Sequence, residues 1–304
     1  MLYKKNRTIY APIVIFTYKK YFSLKKLIQS IKKNKTYKHH NLYIFSDAPK
    51  VKNEIKKIKR VRNYINKIRG FKKKKIIFRK KNFGLASNIT SGIYEVLKKE
   101  KFAIFLEDDL IVSRNFLNYM NLNLIKYQNN KKVWHISGFN FNIKINSKET
   151  QFFTRVANCW GWATWSNRWK NFKKNPNEII NKWSKKKIKK FNFDGTYDFF
   201  SQIQRNQNKT LNSWAIFWYS TIFDKQGLCI NPIKSLVKNI GIGKGATNTK
   251  KLDKILKPKI NNTYYKIIFP KVVKENKKIF KLLKESFNSS ISKNRLKSFF
   301  KYFT

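Results

Sequence analysis

Apolar residues in the first half of the chain alternate between short continuous runs and runs with helical spacing. Ile9–Thr17 has the length of one buried strand, whereas the apolar positions of Phe22–Lys33 recur every three or four residues, as on one helix face. The pattern continues with strands at Leu42–Ser46, Lys75–Phe78, Phe102–Leu106 and Val133–Ser137, and with helices at Val51–Ile68, Ala86–Lys98 and Phe116–Tyr127. Such alternation predicts an α/β fold with a largely parallel sheet between helices.

The pattern is less regular after residue 150. It predicts strands at Phe152–Val156 and Leu228–Ile230, and helices at Trp160–Phe172, Ile179–Lys190 and Trp214–Phe223. A glycine-containing stretch follows at Asn239–Gly245, and beyond residue 250 lysines separate small aromatic and aliphatic groups. We therefore expect one domain over residues 1–248 and a basic extension over residues 249–304.

The composition is that of a packed protein. Hydrophobic residues make up 41% of the 304 positions and aromatic residues 16%, which excludes a disordered basic tail protein. Two cysteines are too few for a disulfide framework or a zinc cluster. Because no apolar run reaches the roughly 18 residues of a membrane span, and the basic N-terminus lacks the long apolar stretch of a signal peptide, we expect a cytoplasmic protein.

The net charge of +54 has three explanations. Lysine, asparagine, isoleucine and phenylalanine are abundant together, which is typical of A/T-rich codons, so the charge can be compositional drift on solvated faces. It can also reflect contact with an anionic membrane, with the protein peripheral on the inner face. Nucleic acid is the third explanation, but no DNA- or RNA-binding motif is present, so we expect no such partner.

Three consecutive acids stand out in a chain with only 15. Glu107, Asp108 and Asp109 follow a predicted buried strand directly, and ligands of open α/β sheets bind at such strand ends. Adjacent carboxylates repel one another unless a cation or a donor-rich ligand neutralises them. Mg²⁺ or Mn²⁺, which binds one or two carboxylates plus phosphate oxygens, would suit this place. The plain alternative is a solvated turn before the next helix.

The residues around the triplet resemble a known family. The segment Phe105–Tyr119 reads FLEDDLIVSRNFLNY, Trp134–Asn140 reads WHISGFN, and Gly161-Trp162 opens a tryptophan-rich block. In this order they resemble the metal-binding segment, the next strand and the Gly-Trp element of the protein-linked mannoside β-1,2-N-acetylglucosaminyltransferases. Bacterial sugar transferases with a related WGWATW block resemble the chain more closely. The resemblance covers roughly residues 9–240.

The resemblance implies a glycosyltransferase of the GT-A type, a Rossmann-like nucleotide-diphospho-sugar transferase fold with a mixed central sheet. The implied reaction is inverting, metal-dependent transfer of a hexose or N-acetylhexosamine from a nucleotide sugar, UDP-linked, to a hydroxyl of a surface glycan or lipid-linked acceptor. By resemblance Asp109 binds the metal, Glu107 and Asp108 face the ribose and sugar, and Lys20 contacts the donor pyrophosphate.

Two further donor-binding positions follow from the resemblance. Asp47, after the second strand, matches the aspartate that reads the uracil; its alternative is a turn aspartate before Pro49. Asn82 begins NFGLASN, which resembles an element near the nucleotide, where Gly84 allows close backbone approach. The alternative there is a strand-to-helix turn.

The acceptor side is less specific. Trp162 and Trp214 are candidates for stacking on an acceptor sugar, although tryptophans at helical spacing, as in the predicted helix, are more often core. The expected catalytic base is missing, because Asn212 and Ser213 occupy the place where relatives have an aspartate. Asp198 is the candidate base, with Asp194 as the other possibility.

Rival functions and the role of the extension stay open. A sugar nucleotidyltransferase would need a glycine-rich loop after the first strand, but Thr17–Lys20 has no glycine. A non-catalytic basic protein that binds membrane or nucleic acid would leave the acidic triplet without a task. The extension, with apolar groups at Ile279–Leu283 and Phe299–Phe303, is predicted to bind anionic lipid or else to pack on the main domain.

Overall fold

A mixed sheet of eight strands forms the centre of the computed structural model, which describes residues 10–241, 255–263 and 266–290. The strands of this part are β1 (Ile13–Thr17), β2 (Asn41–Ser46), β3 (Lys73–Phe78), β4 (Phe102–Glu107), β5 (Leu110–Val112), β6 (Val133–Ser137), β7 (Gln151–Thr154), β8 (Trp162–Trp165), β9 (Leu228–Pro232) and β10 (Val237–Asn239). The sheet order is β3-β2-β1-β4-β8-β6-β9-β7, and β5 pairs with β10 in a separate ribbon.

Helices cover both faces of this sheet. They are α1 (Tyr21–Lys32), α2 (Ile55–Lys67), α3 (Leu85–Leu97), α4 (Phe116–Tyr127), α5 (Ser166–Trp169), α6 (Pro176–Lys182), α7 (Lys185–Phe191), α8 (Phe200–Gln207), α9 (Ala215–Asp224) and α10 (Lys277–Ser290). Within the described ranges, none of the helices has both the length and the apolar character that a membrane crossing requires.

The parallel half of the sheet positions the site. β1 pairs in parallel with β2 and β4, and β2 pairs in parallel with β3. All five residues of β1 are buried, as expected for a strand covered on both faces. Since α1, α2 and α3 follow β1, β2 and β3, the first turn of each helix lies at the carboxyl edge of the sheet. The predicted α/β class with a mixed sheet is confirmed.

Most predicted elements of the first half are present within one to four residues of their predicted ends, and the prediction for α4 is confirmed at both ends. The prediction of one helix over Trp160–Phe172 is wrong. Trp162–Trp165 forms β8, buried between β4 and β6, and a helix covers only Ser166–Trp169. A short apolar run fits a buried strand as well as a helix, and here the tertiary pairing decides.

The predicted basic helix over Ile179–Lys190 is also two helices. α6 ends at Lys182, and Ser184 begins α7 by accepting a hydrogen bond from the backbone N–H of Lys187 at 3.3 Å. An N-cap serine of this kind starts a new helix, because it satisfies a backbone donor that no helical carbonyl reaches.

The described part of the extension packs on the main domain. Of its predicted lipid-inserting residues, Ile279, Phe280 and Leu283 are buried in the protein core, and so is Phe287 one turn later. This corrects the prediction that this group inserts into lipid, because its apolar surface is already covered. Only Leu282 of that group is exposed, at 39%. The other group, residues 299–303, lies outside the described residues.

Ion pairs hold α10 in this position. Arg155, just after β7, pairs with Glu275 at 2.9 Å and with Asp194 at 3.2 Å, and Lys284 of α10 pairs with the other oxygen of Asp194 at 3.0 Å. The guanidinium of Arg155 also lies 4.3 Å from the ring centre of Phe280. Residues 275–290 therefore belong to the same folded unit as the sheet.

Candidate functional site

The ends of β1, β2 and β4 meet at one point of the carboxyl edge. The backbone N–H of Asp47 donates to the carbonyl of Thr17 at 3.1 Å, and that of Asp108 donates to the carbonyl of Phe16 at 3.1 Å. The loops after the three strands are thus tied together. This is the place where open α/β sheets bind ligands.

Asp108 is a buried anchor of this junction. Its Oδ2 accepts hydrogen bonds from the hydroxyl of Thr17 at 2.8 Å and from the backbone N–H of Tyr18 at 3.0 Å. Burial, and next the charge of Asp109, raise the pKa of Asp108 to about 6. Its side chain fixes the β1 loop against β4, so the predicted contact with ribose or sugar would have to use its other oxygen.

Glu107, the last residue of β4, is half-buried at the same edge. Burial, followed by the charges of Asp109 and Asp108, raises the pKa of Glu107 well above its usual range. Three carboxylates crowded in this way favour a cationic or hydrogen-bond-donating ligand, which would relieve both the burial of charge and the mutual repulsion.

Asp109 is the member of the acidic triplet that forms an ion pair with a lysine. Its Oδ2 lies 2.9 Å from the Nζ of Lys20, the residue before α1. Partial burial lowers the pKa of Lys20, but the charges of Asp109, Asp108 and Glu107 outweigh this effect and raise it. The structure therefore brings together the predicted metal ligand and the predicted pyrophosphate contact.

The β5–β10 ribbon closes the other side of Asp109. The backbone N–H of Ile240 donates to the carbonyl of Asp109 at 2.8 Å. A Cβ on Gly241 would collide with Oδ2 of Asp109, so only glycine leaves room for the carboxylate in this position. Asn239 lies in the same place and accepts a hydrogen bond from Gly241 N–H at 2.7 Å. Sequence reasoning singled out this glycine stretch but gave it no task.

The donor set fits a divalent cation that is completed by a ligand. No group of three or more His, Cys, Asp or Glu side chains within the described ranges is arranged to hold a metal alone. Mg²⁺ and Mn²⁺ do not need such a cage, because they commonly take one or two carboxylates together with phosphate oxygens and water. Asp109, with Glu107 next to it, offers hard oxygen ligands of that kind.

Asp47 uses both carboxylate oxygens within the protein. Oδ1 accepts from the backbone N–H groups of Ala48 and Phe83, each at 2.9 Å, and Oδ2 accepts from that of Gly84 at 3.0 Å. Asn82 adds a bond from its amide to the carbonyl of Ala48 at 2.6 Å. These contacts favour the turn alternative for Asp47 and for the Asn82 element, since they join the loop after β2 to the start of α3.

Part of the chain, including this region, is similar to a known protein family. Residues 13–131, from β1 to the loop before β6, match the family model Glycosyl transferase family 2. The α/β domain with its mixed central sheet has the GT-A fold. A crystal structure of TarS from S. aureus is 13% identical over 47% of this chain and 24% of TarS, with a TM-score of 0.32. The chain thus spans about a quarter of the TarS chain, and no curated protein matches it.

Another group of the GT-A domain was missed from the sequence. Glu54 accepts hydrogen bonds from the hydroxyl of Tyr18, from the Nζ of Lys19 at 2.6 Å and from the backbone N–H of Lys50 at 3.0 Å. The bonds from Lys19 and Tyr18 lower the pKa of Glu54 to about 2. The only sequence signal was an isolated acid in a lysine-rich stretch. Its effect is to hold the Tyr18 hydroxyl beside the backbone of Lys50, in the loop after β2.

The predicted acceptor-binding tryptophans of the GT-A domain are core residues. Trp162 is 2% exposed and Trp214 is 3% exposed, and their rings stack with centres 5.6 Å apart. His135 stacks on Trp162 at 5.1 Å, and Phe105 of β4 lies 4.7 Å from it. This corrects the prediction for both tryptophans, because neither ring offers a face to an acceptor sugar.

Both candidate bases make structural contacts in the GT-A domain. Asp198 is exposed, and its Oδ1 accepts from the amide of Asn192 at 3.0 Å and from the backbone N–H of Ser201 at 3.1 Å, at the start of α8. Asp194 has a left-handed backbone (φ 56°) and binds Arg155 and Lys284. None of these contacts joins either aspartate to the acidic triplet, so the role of Asp198 as base stays a prediction.

Proposed function

We propose that the chain transfers a hexose or N-acetylhexosamine from a UDP-linked donor to a hydroxyl group of a surface glycan or lipid-linked acceptor. The observation that carries the proposal is the pairing of Asp109 with Lys20 at the carboxyl edge, within the segment that matches the glycosyltransferase family. A carboxylate beside an ammonium can bind a diphosphate, the ammonium directly and the carboxylate through a divalent cation.

The donor would lie along the ends of β1, β2 and β4. Lys20 would contact the diphosphate, and Glu107 would face the ribose or the sugar. The half-exposed ring of Tyr18, held by Glu54, offers an aromatic surface for the nucleobase. Because the oxygens of Asp47 accept three backbone hydrogen bonds, we expect Asp47 to shape the base site through the Phe83-Gly84 backbone rather than to bind the base directly.

Asp109 would hold Mn²⁺ or Mg²⁺. When bound, such a cation would supply Lewis-acid stabilisation of the leaving diphosphate. The chain's own contribution is positional, since Thr17, Tyr18 and the Asp108 carboxylate hold the triplet against β1, and Gly241 leaves room for Asp109. Acceptor deprotonation in an inverting transfer would require a base, for which Asp198 is the proposed residue.

A donor screen tests this function. The melting temperature of the full chain is measured with UDP-, GDP- and TDP-sugars, each with and without Mn²⁺, and sugar release is followed for each donor that binds. We expect a UDP-sugar to raise the melting temperature more with Mn²⁺ than without it. The proposal fails if no nucleotide sugar stabilises the protein. Pyrophosphate formation from UTP and a sugar phosphate would instead identify a nucleotidyltransferase.

A further inference from the structure

Large exposed apolar side chains are unevenly placed on this protein. Ten are exposed within the described ranges, and four of these lie at, or up to four residues before, the N-terminal ends of α1, α2 and α3. They are Phe22 (63% exposed), Val51 (51%), Ile55 (50%) and Leu85 (49%). We name these four residues the edge patch. A helix start in a globular domain gains no folding stability from an apolar side chain left in water, so their location needs another explanation.

The topology places the edge patch on one side of the molecule. Each of the three helices follows a parallel strand, so all three first turns lie at the carboxyl edge. Side-chain contacts join them: Lys19 binds Glu54 at 2.6 Å, which links the α1 and α2 starts, and the guanidinium of Arg60 lies 4.7 Å from the ring centre of Phe22. The bond from Gly84 N–H to Asp47 brings the α3 start to the loop before α2.

The protein surface around the edge patch is strongly cationic. From Ser46 to Gly84 there are 16 lysines and arginines and only two acids, a far denser excess than in the chain as a whole. Both acids are turned to internal partners: Asp47 accepts backbone N–H groups, and Glu54 binds Lys19 and Tyr18. Within residues 46–84, therefore, no acid remains to pair with the exposed lysines around the edge patch, which are Lys50, Lys52, Lys56, Lys80 and Lys81.

We propose that the carboxyl edge on its β1–β3 side is a docking surface for an anionic lipid bilayer, with the edge patch inserted among the headgroups and the surrounding lysines on lipid phosphates. Separate apolar side chains between lysines suit an interface that is apolar a few ångströms below a charged layer. Nucleic acid would use the charge but would leave the aliphatic side chains of Val51, Ile55 and Leu85 in water. α10 is not available for this task, because its apolar side is buried.

This docking would hold the donor site next to the bilayer, since Asp109 and Lys20 lie at the same edge. Membrane binding itself does not depend on the glycosyl transfer proposed above, and its assay contains neither donor nor acceptor. Failure of one proposal is therefore distinguishable from failure of the other.

Co-sedimentation of the full chain with vesicles tests the surface. The vesicles are phosphatidylcholine alone or phosphatidylcholine with phosphatidylglycerol, over a salt series. The apolar variant carries Phe22→Gln, Val51→Gln and Ile55→Gln. Its matched control carries Leu122→Gln, Ile125→Gln and Val272→Gln, which are also exposed (39%, 38% and 57%) but lie elsewhere. Melting temperatures show that each variant is folded.

A second pair of variants changes the charge on α2 and α3 and in the loops next to them. Lys52→Glu, Lys56→Glu and Lys80→Glu act at the carboxyl edge, whereas Lys67→Glu, Lys98→Glu and Lys99→Glu make the same charge change at the opposite ends of α2 and α3. Both sets lower the net charge equally, so a difference between them reports position rather than total charge.

We expect binding to phosphatidylglycerol vesicles but not to phosphatidylcholine alone. The carboxyl-edge charge variant should bind at least about tenfold more weakly than its control, because each surface lysine contributes on the order of 1 kcal/mol. At about 0.5 M salt, screening weakens the charge contribution, so the vesicle binding that wild type retains depends on the apolar side chains. The apolar variant should lack this salt-resistant binding. Equal binding by each variant and its control would overturn the proposal. The proposal would also be overturned if wild type did not bind vesicles but bound RNA in a salt-sensitive way, and the apolar variant kept this RNA binding.

Discussion

The ammonium of Lys20 lies 2.9 Å from Oδ2 of Asp109, across the gap between the β1 loop and the end of β4. The two residues are 89 positions apart in the chain, and their meeting joins the acidic triplet to the β1 loop. A half-exposed ion pair of this kind adds at most about 1 kcal/mol to stability. We infer that its main value lies in ligand binding.

Asp109→Asn should abolish the Mn²⁺-dependent part of UDP binding, because it removes the carboxylate that is proposed to hold the metal. Since the ion pair contributes so little stability, the melting temperature without ligand should change by only a few degrees. Thermal shift with UDP, with and without Mn²⁺, measures both. Asp224→Asn, which breaks an exposed pair with Lys187, is the control. A Mn²⁺-dependent shift that persists in Asp109→Asn would show that the metal assignment is wrong.

Gly241→Ala should weaken donor binding by about tenfold, because the added methyl group takes the space that Oδ2 of Asp109 occupies. The backbone at this position needs no left-handed conformation, so the fold should remain. Titration with UDP and Mn²⁺ measures the affinity. Lys238→Ala, at an exposed position of the same ribbon, should bind as wild type does. Unchanged affinity in Gly241→Ala would mean that the Asp109 carboxylate is not used in the position seen here.

Asp47→Asn should lower the free energy of unfolding by roughly 2 kcal/mol, since an amide group cannot accept all three backbone hydrogen bonds. UDP affinity should fall as well, because the Phe83-Gly84 backbone loses its anchor, while Mn²⁺ binding persists. Urea unfolding and UDP titration together measure this. Asp224→Asn removes an exposed pair with Lys187 and should change neither quantity much. Weaker UDP binding with unchanged stability would instead support direct reading of the base.

Two buried histidines should make stability depend on pH. Burial lowers the pKa of His40 to about 4 and that of His135 to about 3, below their ordinary value of 6.5. The neutral rings accept hydrogen bonds in the fold; Nδ1 of His135 accepts from the indole of Trp218 at 3.2 Å. Below pH 6.5 the unfolded chain binds protons that the folded chain does not. The free energy of unfolding is therefore highest above pH 6.5. It falls as the pH drops toward 4, by up to about 1.4 kcal/mol per pH unit for each histidine.

The measurement compares wild type with His40→Gln by urea unfolding at several pH values. The variant should be less stable than wild type at pH 7.5, and the difference should shrink by pH 5, because only wild type loses the contribution of His40. His39→Gln, at the exposed neighbouring position, should follow the wild-type curve. A difference that stays constant with pH would show that His40 is not kept neutral in the folded protein.

Phe287→Ala should destabilise the protein by about 3 to 5 kcal/mol, the usual cost of emptying a buried phenylalanine site. Phe287 is 1% exposed and its ring lies 4.9 Å from that of Phe141 and 5.4 Å from that of Phe193. Leu282→Ala, on the exposed side of α10, should cost less than about 1 kcal/mol. Urea unfolding distinguishes the two. Equal, small effects would mean that α10 does not pack on the domain in solution.

The chain by itself determined the elements with a clear period and the place of the acidic triplet. The continuous apolar run before the three acids predicts a buried strand that leaves the core there, and the neighbouring helices repeat their apolar positions at the spacing that one buried face requires. These are local consequences of which side chains avoid water. They also placed the acidic triplet directly after a buried strand and Lys20 after the first strand.

Only the tertiary structure decided what each side chain touches. Asp47 depends on backbone donors 36 and 37 positions later, and Asp109 needs the absence of a side chain at Gly241. Trp162 is a core strand residue because β8 pairs with β4 on one side and with β6 on the other. The apolar side of α10 is buried against segments more than 80 residues earlier, such as Phe193. Periodicity shows that a side chain will be buried, whereas the partner that buries it is set by the packing of distant segments.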